Sequence, residues 1–168
     1  MKKIILLILF VLTLGFSFGQ EKFKEGLTKI GSDTYQVWFA DPVIIAVNLS
    51  KNIQEVPKPE QIHEPLPIHE RDVQVDTALA KAIIFNVLKN RLPELKHNKD
   101  FITVTYIFFP NGKIMNLDYI LPLQTIITPK ELAKIDQCLR KDIKVCLTGD
   151  EYKVYPAIHY NRQKRIYF

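Results

Sequence analysis

Cysteine and histidine are scarce in this sequence, and catalytic signatures are missing. The 168 residues include two cysteines and four histidines. Two cysteines exclude a small scaffold that depends on a dense set of disulfides. The chain has neither the H-E-x-x-H motif of zinc hydrolases nor a cysteine–histidine signature. We therefore expect no catalytic residue, no metal site and no cofactor.

The N-terminus has the parts of an export signal. Two lysines precede an almost unbroken apolar run from Ile4 to Phe18, and Ser17 and Gly19 are small residues at the spacing that signal peptidase needs. The run is shorter than the roughly 20 apolar residues that span a bilayer. We predict that residues 1–19 are removed, and that the mature chain begins at Gln20, has no stable membrane anchor and is periplasmic or secreted.

A strong charge of either sign is also absent. The formal net charge is +5, and it falls to +3 when the two lysines of the signal are removed. A balance this mild does not favour nucleic-acid binding, and an exported protein rarely meets nucleic acid. We expect no nucleic-acid partner.

Residues 20–49 are predicted to form an N-terminal β segment. Strand-like runs lie on both sides of the turn cluster Gly31-Ser32-Asp33. Asp41-Pro42 then separates them from VIIAVNL, a β-branched run with the length of a buried strand. The sequence leaves open whether this segment joins the sheet of the second half or forms a layer of its own.

Residues 50–75 are predicted to be a Pro-rich extended connector, because four prolines fall within a dozen residues. Proline fixes φ, removes an N–H donor and biases the preceding residue toward extended geometry. His63 and His69, each beside a glutamate, are six residues apart with two prolines between them. They cannot share a helical face as a zinc-binding pair does. We predict that both histidines belong to a spacer.

From residue 76 the pattern alternates between helix and strand. Asp76 is a candidate N-cap for a helix that Pro93 ends or kinks. FITVTYIFF and KIMNLDYIL alternate around Asn111-Gly112, the strongest short signal for a β-hairpin. Thr128 to Glu131 form a capping box that begins a second helix. The sequence predicts an α+β fold: a small antiparallel sheet with two helices on one face, preceded by the N-terminal β segment.

Residues 76–168 resemble the TonB C-terminal-like domains. The likeness lies in the order of the elements, in Leu92-Pro93 closing the first helix, and in ITVTYIFFPNGKIMNLDYI as the central hairpin. It extends to ITPKELAKIDQCL as the second helix and to a last strand ending in RIYF. The segment IKVCLTGDEYKV lacks the tryptophan and the proline that usually follow the second helix in the family.

The resemblance implies a non-catalytic periplasmic adaptor that binds a protein or peptide segment of the cell envelope. Family members bind that segment by strand addition at their final strand, which corresponds here to residues 157–161. Alternation directs Ile158 and Tyr160 toward the helices. Three basic residues just beyond could attract an acidic partner, guard the edge, or form a merely solvated turn. The residues expected to bind are Ala157, His159, Asn161, Arg162, Lys164 and Arg165.

A small exported hydrolase is the alternative function, with an active site formed only by residues distant in sequence. Histidines and carboxylates that converge in a cleft would favour this hydrolase. An unpaired edge strand without such a cleft would favour the adaptor.

The two cysteines, Cys138 and Cys146, are candidates for a disulfide. Export brings the chain to an oxidising compartment, and the second helix could fold back on the segment that follows it. Two buried thiols are the alternative.

Overall fold

The computed structural model describes residues 22–49, 72–148, 157–160 and 165–168, and the structural statements below concern these parts of the chain. The predicted signal lies outside them, as do His63 and His69 of the connector. Three of the predicted binding residues, Asn161, Arg162 and Lys164, also lie outside the described residues.

The described residues form nine strands, three α-helices and one short 3₁₀ helix. The N-terminal strands are β1 (Gly26–Ile30), β2 (Asp33–Ala40) and β3 (Val43–Asn48). The middle of the chain contains β4 (Val73–Val75), α1 (Thr77–Val87), the 3₁₀ helix (Lys89–Arg91), α2 (Leu92–His97), β5 (Phe101–Phe108) and β6 (Ile114–Pro122). The remaining elements are α3 (Pro129–Asp142), β7 (Val145–Leu147), β8 (Ile158–Tyr160) and β9 (Ile166–Tyr167).

Seven of these strands form one antiparallel sheet in the order β1-β2-β3-β6-β5-β8, with β9 also paired to β5. The N-terminal segment joins the sheet of the second half, because β3 pairs with β6 from Val43–Pro122 to Val47–Asp118. The α+β class and the N-terminal β segment are as the sequence predicts. The question that the sequence leaves open is answered by a single continuous sheet.

The strand β4 corrects the end of the predicted connector. Val73–Val75 pair with β7 in a separate two-stranded ribbon, in which Gln74 is opposite Cys146. Val73 is buried, whereas Gln74 between the two valines is exposed. The alternation of valine with a polar residue therefore gives a half-buried strand, and the connector ends before residue 73.

Two of the three hairpins of the sheet depend on glycine, in different ways. Gly31 is the first of the two residues between β1 and β2 and has φ of +62°, which a type II′ turn requires at that position. In the predicted β5–β6 hairpin, Gly112 has φ of +79° and lies against β7. A Cβ atom on Gly112 would collide with the carbonyl oxygen of Val145. Gly112 is therefore needed for its conformation and for its close approach to β7.

The first helix begins as predicted but ends earlier. The side chain of Asp76 accepts a hydrogen bond of 2.8 Å from the Leu79 N–H and caps α1. The helix ends at Val87, and Leu92-Pro93 begin α2 instead of closing α1. Proline has no N–H, and the first turn of a helix has no use for one, so Pro93 is favourable at the start of α2. The described residues therefore contain three α-helices where the sequence predicts two.

The helix α3 agrees with its sequence signals. Thr128 Oγ1 accepts from the Glu131 N–H at 3.2 Å, and Glu131 Oε2 accepts from the Thr128 N–H at 2.8 Å, which completes the capping box. The apolar face of α3 packs with that of α1 against one side of the sheet and closes the core. The largest fully buried side chains of this core are Tyr35, Ile84, Leu88, Leu95, Ile102, Phe108, Leu117, Tyr119, Leu121, Leu132, Ile135 and Leu139.

Candidate binding site at the sheet edge

The sheet is open, and β8 is the strand at one of its ends. Its three residues pair with β5, from Tyr106–Tyr160 to Phe108–Ile158. The other side of β5 is occupied by β6, and among the described strands β8 has no second neighbour. The backbone groups on the outer side of such a strand can accept an added strand. We call this outer side of Ile158–Tyr160 the β8 edge.

The structure places the described members of the predicted binding set around this edge. Ala157 directly precedes β8, and His159 is its central residue, opposite Ile107. Arg165 is exposed and directly precedes β9, which pairs with the first two residues of β5. Ile158 is 2% exposed and belongs to the core, so alternation directs it inward as predicted.

A cavity of about 340 Å³ lies beside the β8 edge, between the start of α1 and the strands β5, β8 and β9. Three tyrosines, Tyr106, Tyr160 and Tyr167, contribute aromatic surface to it. We call it the edge cavity. Its other described lining residues are Thr77, Ala80, Lys81, Val104, Arg165 and Ile166.

The edge cavity has two cations and no carboxylate among its described lining residues. The Arg165 guanidinium carbon lies 4.8 Å from the centroid of the Phe101 ring, and Lys81 Nζ lies 5.3 Å from that of Phe85. Within the described part of the chain, neither cation forms an ion pair with a carboxylate. Aromatic faces attract cations but leave most of their charge unneutralised. The mouth of the cavity is therefore positive.

The phenol of Tyr106 stays neutral in the edge cavity. Burial, and then the neighbouring Tyr160, raises the pKa of Tyr106 to about 12. A neutral phenol offers a hydrogen-bond donor and an apolar ring, and it is a poor nucleophile or base near pH 7. Tyr106 can therefore supply a hydrogen bond and aromatic surface in the cavity.

A second polar feature, which the sequence reasoning missed, is buried between the N-terminal strands and α3. We call Tyr35, Asn48, Tyr119, Asp136 and Arg140 the Asp136 cluster. Asp136 Oδ1 accepts hydrogen bonds from Asn48 Nδ2 at 3.3 Å and from Arg140 Nε at 2.7 Å, and Oδ2 accepts one from the Tyr119 hydroxyl at 3.0 Å. Its sequence signal is an aspartate beside Ile135 on the apolar face of α3, with an arginine four residues later.

The Asp136 carboxylate is buried and hydrogen-bonded, although Asp136 also contributes to the lining of a surface cavity with Asp33 and Lys134. The Asp136 side chain is 1% exposed, and both of its oxygens already have partners. Burial first, and then the negative charge of Asp136, raises the pKa of the Tyr35 and Tyr119 hydroxyls above the usual tyrosine range. The cluster provides neither an exposed nucleophile nor a free base, so it gives the hydrolase alternative no support. It fastens β3 and β6 to α3, and β2 joins it through the hydrogen bond from Asn48 to the Tyr35 hydroxyl.

Comparison with known proteins gives a likeness of fold. No family model matches the chain, and no curated protein matches it. A crystal structure of a DUF5043 family protein from Bacteroides uniformis ATCC 8492 is similar, with a TM-score of 0.67, 14% sequence identity and coverage of 89% of each chain. At this identity the likeness concerns the fold alone.

The part of the chain that the structure describes lacks two features that would indicate a particular function. It contains no group of three or more histidine, cysteine, aspartate or glutamate side chains that could hold a metal ion. None of its helices combines the length and the apolar character needed to cross a bilayer.

The two cysteines are free thiols in the structure. Cys138 is half-buried on α3, and Cys146 is exposed at the centre of β7. On either side of Cys146 in β7, Val145 is buried and Leu147 is half-buried. Alternation along the strand therefore turns the Cys146 thiol toward solvent. The candidate disulfide is therefore not formed in this structure.

Proposed function

We propose that this chain is an exported, non-catalytic binding module of the bacterial cell envelope, which captures a protein or peptide segment by strand addition at the β8 edge. The observation that carries the proposal is the terminal position of β8 in the sheet, with β5 as its neighbour among the described strands. The resemblance of residues 76–168 to the TonB C-terminal-like domains supports the same edge.

The physical basis is the pairing of backbone groups. Consecutive N–H groups of a strand point to opposite sides, so β8 directs part of its donors and acceptors to β5 and part outward. A partner in extended conformation satisfies the outward groups through main-chain hydrogen bonds, and alternate side chains of the partner supply specificity. The edge cavity lies where those side chains would be received.

Photo-crosslinking from the edge tests the proposal. A benzophenone amino acid replaces Ala157, which directly precedes β8, and a matched control places it at exposed Lys29 on β1, the opposite end of the sheet. We expect specific envelope adducts from position 157 that an excess of unlabelled protein removes, and no such adducts from position 29. Equal adducts from the two positions would contradict the proposal.

Proline variants test whether backbone pairing is responsible. His159→Pro and Tyr160→Pro remove consecutive donors, of which one faces β5 and the other the open side. We expect one variant to lose stability by circular dichroism, and the other to stay folded while its adduct yield falls at least about ten-fold. If both proline variants stay folded and their adduct yields are unchanged, capture does not use strand addition.

A further inference from the structure

The chemistry of the partner segment can be inferred from the edge cavity. We propose that the cavity receives one aromatic side chain of the captured segment, and that Lys81 and Arg165 select a segment with carboxylates on both sides of it. This inference rests on the proposed function, because strand addition at β8 is what brings the segment to the cavity.

The volume and the lining favour a single apolar side chain. About 340 Å³ is at the lower end of the range for ligand cavities. Tyr106 and Val104 of β5 are both buried, so the strand contributes an apolar base. The Tyr106 hydroxyl is neutral, since the pKa of that group is raised to about 12. Aromatic rings pack well against such tyrosines in offset or edge-to-face arrangements.

The geometry of strand addition supplies the register. Successive side chains of a strand point to opposite faces of the sheet. Every second side chain of a strand added at β8 therefore points to the face on which α1 packs, where the cavity opens. One of them can enter beside Tyr160. The side chains two residues before and two residues after it point to the same face, near the mouth and within reach of long basic side chains.

The charges at the mouth supply the selection. Lys81 and Arg165 are exposed, rest on aromatic rings and have no carboxylate partner in the described residues. A carboxylate two residues before the inserted ring and another two residues after it would pair with them. An exposed ion pair changes affinity by at most about five-fold. The two ion pairs therefore discriminate between segments, which we call the filter, and the buried aromatic side chain supplies most of the affinity, which we call the anchor. Screening by salt weakens the filter more than the anchor.

Three fluorescein-labelled nonapeptides test the inference by anisotropy with the mature chain. The first has phenylalanine at its centre, aspartate two residues before and two residues after it, and serine elsewhere. The second has lysine in place of both aspartates, and the third has serine in place of the phenylalanine. We expect the aspartate–phenylalanine peptide to bind at least about ten-fold more tightly than either of the others. Equal binding of all three peptides would overturn the inference.

Charge reversal locates the filter. Lys81→Glu with Arg165→Glu should weaken the aspartate–phenylalanine peptide at least about ten-fold and favour the lysine–phenylalanine peptide. The matched control, Lys96→Glu with Lys134→Glu, changes the net charge equally on exposed faces of α2 and α3. An equal loss of affinity in the control would show a general charge effect and contradict the inference.

Filling the cavity locates the anchor. Thr77 is exposed at the start of α1 and lines the cavity. Thr77→Trp should weaken both phenylalanine peptides about ten-fold, without change in the charge of the mouth or in the circular dichroism spectrum. Unchanged binding of both would show that the ring is bound elsewhere.

The proline variants separate the two proposals. If the folded proline variant loses all three peptides and the unmodified chain shows no preference among them, strand addition stands and the inferred selection is wrong. If the proline variants bind like the unmodified chain while charge reversal abolishes the preference, the cavity acts alone and strand addition is wrong.

Discussion

At the end of the sheet that contains β2 and β3, polar side chains meet inside the protein and satisfy one another. Asp136 alone accepts hydrogen bonds from Asn48, Tyr119 and Arg140. At the β8 end, the cations of the edge cavity rest on aromatic rings, and β8 itself is three residues long. A buried network whose polar groups are all hydrogen-bonded makes the structure rigid. An open strand edge with unneutralised charges can instead bind a partner. We call the region of the Asp136 cluster the fastened end of the molecule, and the β8 edge with the edge cavity the receptive end.

The largest effect should come from breaking the fastened end. Asp136→Asn keeps the shape of the side chain but leaves the Arg140 guanidinium without its counter-charge, and loss of one partner of a buried pair costs about 3–5 kcal/mol. We expect the free energy of unfolding in urea to fall by about 3 kcal/mol. The control Asp142→Asn, exposed at the end of the same helix, should cost less than about 0.5 kcal/mol. If the two variants lose similar free energies of unfolding, the Asp136 cluster does not stabilise the packing of α3 on the sheet.

The next effect compares the β1–β2 hairpin with the β5–β6 hairpin. An alanine at position 112 would have a positive φ, and its Cβ would also displace β7. An alanine at position 31 would have the same backbone strain, but its Cβ would meet no other atom. A positive φ costs a residue with a Cβ about 1–2 kcal/mol. We expect Gly112→Ala to lose at least about 1 kcal/mol more than Gly31→Ala in urea unfolding. Equal losses would show that β7 moves away freely.

The pH dependence of stability compares tyrosines at the two ends. The pKa of Tyr106 is raised to about 12, and those of Tyr35 and Tyr119 are raised as well. Below pH about 10 these groups are neutral in the folded and unfolded chains. Above it, the unfolded chain releases protons that the folded chain retains, so stability falls as the pH rises from about 10 to 12.

The urea midpoint at pH 9 and at pH 11 measures this effect. One such tyrosine accounts for about 1.4 kcal/mol per pH unit in that window. The fall should be smaller in Tyr106→Phe, which removes the titrating group at the receptive end. An unchanged fall in that variant would show that Tyr106 ionises alike in the folded and unfolded chains.

The smallest effect concerns the cysteines. Because Cys138 and Cys146 are free thiols on α3 and β7, native alkylation without reductant should modify both, and exposed Cys146 should react first. Intact mass before and after reduction should be the same, and Cys146→Ser should change the free energy of unfolding by less than about 0.5 kcal/mol. A protein that takes up alkyl groups only after reduction would instead contain the bridge.

Local signals predicted much of the fold, because each depends on neighbours in sequence. The capping box at Thr128 and Glu131 needs four residues, and the hairpin at Asn111-Gly112 needs two with alternating flanks. Proline is ambiguous even at this range, since it is compatible with the end of one helix and with the first turn of the next. Pro93 takes the second option.

The remaining features depend on contacts between distant segments. The pairing of β3 with β6 joins residues more than 70 positions apart, and apolar alternation in each strand is compatible with several neighbours. The Asp136 cluster needs β2, β3, β6 and α3 to meet in one place. The edge cavity likewise combines α1 with the last strands. Aspartate next to isoleucine in an apolar stripe was a visible signal of the cluster, but it did not indicate which partners Asp136 would have.

The position of β3 in the sheet also has a consequence for the order in which the protein folds. Synthesis proceeds from the N-terminus, so β1, β2 and β3 are available to form their local hairpins well before β6 is made. Until β6 arrives, the VIIAVN run of β3 is an apolar strand with one unprotected side, of the kind that pairs with other chains. Long-range pairings are also the slow ones in folding. The docking of β6 on β3 is therefore the step that covers this unprotected side of β3.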